Sequence, residues 1–81
     1  MKTKYLTLKR VNAKIKPLGL QLVQYKTPAG NYFGFLDLDE NPLEGVDSVM
    51  VHRLWHFSLD QWVAAAELAK EQYRTWQVER A

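Results

Sequence analysis

The sequence predicts an α+β fold of order α-β-β-β-α, a three-stranded antiparallel sheet with two helices packed on one face. Three observations carry this. Apolar residues recur at helical spacing near each end of the chain, they alternate or run together in the middle, and clusters of turn formers separate the middle runs. Two apolar helix stripes need a surface to bury against, and one face of a small sheet supplies it.

The first helix opens after Thr7. Leu8, Val11, Ile15 and Leu18 fall on one arc, and Lys9, Arg10, Lys14 and Lys16 fill the opposite one. Thr7 is a natural N-cap, with Leu6 placed to pack back onto Val11. Pro17 disfavours helical geometry at Lys16 and Gly19 suits a C-terminal stop, so the helix is short.

Leu20 to Lys26 reads as a strand, Thr27-Pro28-Ala29-Gly30 as a turn, and Asn31 to Leu38 as the second arm of a hairpin. Gly34 interrupts the aromatics Tyr32, Phe33 and Phe35, which implies a bulge or a close neighbour there. Residues 39–47 are acidic and rich in turn formers, hence a loop. Ser48 to Leu54 is the expected third strand, with Val49 and Val51 on one face and Met50 and His52 on the other.

The clearest local signal follows. Ser58 and Gln61 form a capping box, Phe57 precedes the cap and can staple onto Trp62, and Leu59, Trp62, Val63, Ala66, Ala69 and Tyr73 make an apolar stripe. The helix can run to about Val78, roughly 30 Å.

The 81 residues leave room for one domain, 1–81, with a compact core over about 5–76 and a frayed C-terminal end. A chain this size buries only about 60–65% of its unfolded surface, and the three Trp, four Tyr and three Phe help it do so. The absence of cysteine fits a reducing compartment and removes thiolate chemistry. No run approaches the roughly 20 apolar residues of a membrane span, and Lys9 and Arg10 interrupt any leader-like core. The expectation is a cytoplasmic protein without membrane contact.

Net charge is only +2, but it is unevenly distributed. Residues 1–26 hold seven basic groups and no acid, whereas residues 27–81 hold four basic groups and nine acids, 4 − 9 = −5. Such asymmetry marks a partner-facing surface or two halves that neutralise each other in the fold.

Catalysis finds little material. Asp37, Asp39 and Asn41 start like a calcium loop, but Pro42 stands where the turn needs glycine and Ser48 where a bidentate Glu should close the site. His52 and His56 straddle a strand end without a nearby Glu, so no metal site is expected. Four scattered glycines make no phosphate loop, and neither Thr7, Ser48 nor Ser58 has a His and an acid arranged around it. Acids in the 37–47 loop have nothing to desolvate and tune them. The chain is expected to be neither an enzyme nor a cofactor binder.

The candidate binding patch is Lys2, Lys4, Lys9, Arg10, Lys14, Trp55, Tyr73 and Trp76. Lys9 and Arg10 sit in the first helical turn, where each opposes the macrodipole by about 0.3–1 kcal/mol, and they would concentrate positive charge for phosphate or an acidic protein surface. Solvated lysines are the alternative. Trp55, in the link before the last helix, and Tyr73 and Trp76, late in it, are either binding anchors or the edge of the core. An overhanging last helix would also allow a homodimer through residues 59–78.

Two resemblances follow from these motifs. Leu6 through Glu67 resembles a loose group of small phage and prophage proteins with a TLKRxN helix, a GxxLV strand, an aromatic strand, an SVxVxRL strand and an LSLxQWxxxA helix. Here these are Thr7 to Asn12, Gly19 to Val23, Tyr32 to Phe35, Ser48 to Leu54 and Phe57 to Ala66. Pro17 and the acidic 37–47 loop depart from the pattern. The resemblance implies a setting and no activity. The element order is also similar to the double-stranded RNA-binding domain, whose final helix opens on a lysine cluster; this one opens Ser58-Leu59-Asp60-Gln61. Both lead to a non-catalytic binding protein, either a protein–protein interaction module modulating a host factor, or a nucleic-acid binder using the basic first helix.

Overall fold

The first helix, α1 (Leu8–Ile15), begins where Thr7 leaves helical geometry and its Oγ1 accepts the Arg10 N–H at 3.1 Å. The computed structural model describes residues 6–51 and 53–80. Pro17 sits in a single 3₁₀ turn, Lys16–Leu18, and Gly19 closes it in the left-handed region at φ 80°. Strands β1 (Leu20–Thr27) and β2 (Gly30–Asp37) then pair antiparallel in unbroken register from Leu20↔Asp37 to Thr27↔Gly30. The closing helix α2 (Leu59–Arg80) is 22 residues long, two beyond the end expected from its pattern.

The architecture is α+β, with two helices and a two-stranded antiparallel sheet. The expected third strand, Ser48 to Leu54, is reduced to one rung at Val49 on the outer edge of β2, and a second rung, at Pro42, comes from the expected loop. Phe33 and Val49 exchange two backbone hydrogen bonds, at 2.9 and 2.7 Å, and Leu36 bridges Pro42. No described residue after Val49 joins the sheet, and the two rungs bound an excursion. Between those rungs two residues of β2, Gly34 and Phe35, face six, Leu43 to Ser48. The surplus cannot lie along the edge, so it leaves the sheet. His52 of the expected strand lies outside the described residues.

No bulge forms at Gly34. Instead the Tyr25 ring crosses it, with Cε2 3.0 Å from where a Cβ would stand, so a side chain there would have to displace the ring. Inner-face residues Leu20, Leu22, Phe33 and Phe35 form one buried cluster with Val11 and Ile15 of α1, Leu43, and Trp62, Ala66 and Ala69 of α2. Trp62 is its hub. It is fully buried, edge-on to Phe33 at 5.2 Å and tilted against Phe57 at 4.8 Å, and its Nε1–H donates to the Leu54 carbonyl at 2.7 Å.

Helix α1 is tied to the free edge of β1 by one side chain. Asn12 Oδ1 accepts the Leu22 N–H at 2.6 Å and its Nδ2 donates to the Leu22 carbonyl at 3.2 Å. The amide thus stands in for a neighbouring strand, both securing the helix and blunting an exposed edge.

Candidate functional site

Both helices start with a side-chain cap, and the two starts meet. Ser58 Oγ accepts the Gln61 N–H at 3.1 Å while Gln61 Oε1 accepts the Ser58 N–H at 2.8 Å, completing the expected capping box. The residues just before the two caps, Leu6 and Phe57, turn toward the core cluster. Between them lies a cleft of about 310 Å³ lined by Leu6, Arg10, Trp55, Phe57, Ser58 and Leu59.

Trp55 forms one wall. The Leu54–His56 3₁₀ turn carries it, and the Trp62 hydrogen bond to Leu54 anchors that turn from below. It remains 64% exposed although it sits edge-on to the His56 ring at 4.7 Å. A large indole held in place yet open to solvent is unusual for core packing and ordinary for a contact surface. Arg10 lines the same cleft and supplies its one charged side chain.

Lys9, Arg10 and Lys14 are all exposed, and among the described residues none is held in an ion pair. Arg10 and Lys14 lie one turn apart on the same face of α1. Lys2 and Lys4 lie outside the described residues. Near the cleft, positive potential comes from Arg10 and from the first-turn N–H groups of two helices, with Asp60 opposing it.

The other two predicted residues lie elsewhere. Tyr73 packs against the core, with Trp76 stacked on it at 5.9 Å. They sit about four and five turns along α2 from Ser58, roughly 22 and 27 Å away, and so do not line the cleft. Trp76 is half-buried because the excursion of residues 43–48 lies on it. A Cβ at Gly45 would come within 2.6 Å of Trp76 Cβ and Cγ.

The acidic loop uses its first carboxylate on itself. Asp37 Oδ1 accepts the N–H groups of Asp39 and Asn41, both at 2.9 Å, and Oδ2 accepts Asn41 Nδ2 at 3.2 Å. The backbone N–H of Asn41 is the main reason the Asp37 carboxyl is held below its ordinary value of 3.8. Among the described residues no three His, Cys, Asp or Glu side chains converge as a metal-binding group. No helix there is long and apolar enough to cross a membrane.

Sequence reading named Arg10 and Trp55 but not the residues that join them. The signal was present: Leu6 and Phe57 each precede a cap, and two stapled helix starts packed on one core bring their leading residues together. No protein-family model matches this sequence, and neither a curated protein nor a solved structure matches it.

Proposed function

We propose that this chain is a small non-catalytic, cytoplasmic binding protein, a protein–protein interaction module that takes an acidic segment of its partner at the Arg10–Trp55 cleft. One observation carries the reading: an unpaired arginine and a mostly exposed tryptophan line the same cleft at two helix starts. Arg and Trp dominate the energetics of protein contacts, and a cleft of this size accepts one or two apolar side chains. A carboxylate flanking such a side chain would gain from Arg10 and from both helix dipoles. The phage-like motifs fit a module that modulates a host factor stoichiometrically.

Capture from a bacterial lysate tests the reading, with wild type beside a Lys9→Glu, Arg10→Glu variant and a Trp55→Ala variant. The expected outcome is a protein retained by wild type and lost from both variants. Capture of the same proteins by all three removes the cleft from the function.

The second reading is a nucleic-acid binder that neutralises phosphates with Lys9, Arg10 and Lys14 and stacks a base on Trp55. The lack of ion pairs on these cations favours it. Its affinity must fall steeply with salt, so a gel with no shift of DNA or RNA at low salt disposes of it. A structural homodimer through residues 59–78 is the weaker reading. The stripe of α2 is occupied by its own core, and its large exposed apolar residues are Leu68 and Val78.

A further inference from the structure

The flank of α2 that meets residues 45–49 carries a groove separate from the Arg10–Trp55 cleft. It consists of two adjoining hollows of about 280 Å³ each, which share Gln72. The hollow nearer Ser58 is apolar: Phe35, Val49, Phe57, Ala65 and Ala69 surround it, and Leu68 borders it while 60% exposed. A leucine that open beside an apolar hollow is ordinary for a contact surface, because one entering side chain would cover both. The hollow nearer the C-terminal end of α2 is lined by Glu71, Glu79 and the part of Trp76 that residues 43–48 leave open.

Charge decides what fits. Asp47, Glu71 and Glu79 line the groove, and among the described residues no Lys, Arg or His does. All three acids are exposed and, among the described residues, none is held in an ion pair. Lys70 and Arg74 of α2 each stand two residues from Gln72, which turns them about 200° around the helix from it. Nucleic acid and anionic lipid are repelled by such a rim. We propose that this groove binds a basic, apolar peptide segment of a protein partner, with one apolar side chain in the first hollow and a lysine or arginine in the second.

The spacing follows from α2. The residues it contributes to the two hollows are centred about six positions apart, or about 9 Å, which an extended chain covers in about three residues. A cation in the second hollow gains from two carboxylates and from the indole beside them. The groove favours the opposite charge to the cleft, and the proposal does not rest on that reading. Phe57 alone lines both, so different segments can fill them.

An NMR titration of the full chain tests this with a short capped peptide that holds one leucine and, about three residues on, one arginine. The control peptide carries glutamate in place of arginine. Saturable shifts are expected at Val49, Leu68 and the Trp76 indole N–H for the arginine peptide at concentrations reaching about 1 mM. Leu68→Asn alters an exposed side chain, so the circular-dichroism melt should be unchanged while binding weakens about tenfold. Glu71→Lys combined with Glu79→Lys should reverse the preference to the glutamate peptide, because the second hollow then holds two cations and no acid. Arg10→Glu should leave the three shifts as in wild type, so failure of this groove and failure of the cleft are told apart. Equal shifts with both peptides, full binding by Leu68→Asn, or a double variant that still prefers arginine would overturn the proposal. So would a doubled mass in sedimentation that Leu68→Asn abolishes, which assigns the groove to a second copy. Binding seen only in a Lys2→Glu, Lys4→Glu variant assigns it to the chain's own first residues and overturns the proposal equally.

Discussion

The two ends of α2 carry similar aromatic residues and hold them by different means. At the start, Trp62 packs on Phe33 and Phe57 and hydrogen-bonds Leu54, so burial, ring contact and a directed bond fix the link that bears Trp55. At the far end Trp76 is covered by an excursion held by the turn at Asp37, the rung at Val49 and the burial of Leu43. One end is a rigid mount for an exposed side chain. The other is a cover over a half-buried one. Similar residues therefore carry different prospects for function, because what surrounds a tryptophan decides whether it is presented or packed.

Removing the hub should collapse the contrast. Trp62→Ala takes out a fully buried indole and orphans the Leu54 carbonyl, and should cost about 3–5 kcal/mol by urea denaturation. Trp62→Phe should cost less and yet release Trp55, seen as red-shifted, more quenchable fluorescence once Trp76 is replaced by Phe. Stability loss without a change at Trp55 would show that the Leu54 bond does not position it.

The far end should break separately. Gly45→Ala adds a methyl where 2.6 Å is available beside Trp76, at φ +78°, and should cost about 1–3 kcal/mol. Amide exchange should accelerate over residues 43–48 and remain unchanged near Ser58. Equal acceleration at both ends would mean that the excursion and the cleft are one unit.

Ser58→Ala removes one half of the capping box and should cost about 1 kcal/mol, with fraying of the first turn of α2. Asp37 gives the smallest effect. Its carboxyl is lowered in the folded state, so its contribution is complete above the unfolded value and is lost as pH falls through the folded one. Below about pH 4 the 43–48 excursion should loosen before the cleft does. Asp37→Asn should remove that pH step in an NMR titration.

The sequence displayed most of the fold because its strongest signals are local. Thr7, Ser58 with Gln61, and Gly19 act within a few residues, and the structure bears out each of them, whereas Lys16 keeps right-handed helical angles, φ −53° and ψ −40°, in spite of Pro17. The hairpin likewise follows from two short runs about a turn. The third strand misled for the opposite reason. Val49 and Val51 have strand character, but of the two only Val49 meets a partner, Phe33, and such pairing between segments far apart in sequence is a nonlocal quantity that alternation does not contain. The site was legible in part. Arg10 and Trp55 stand out by type, whereas their meeting depends on how α1 docks, and Asn12, whose amide pairs with Leu22, makes that attachment from an ordinary-looking helical position.

The central claim is that Arg10 and Trp55 form a single accessible receptor for an acidic, apolar segment. An NMR titration with a short acidic peptide bearing one leucine, and with a lysine-for-glutamate counterpart, addresses it without knowledge of the natural partner. Saturable shifts are expected at Arg10, the Trp55 indole N–H and Leu59 for the acidic peptide alone. Unmoved signals at these three, or equal shifts with the basic peptide, would contradict it.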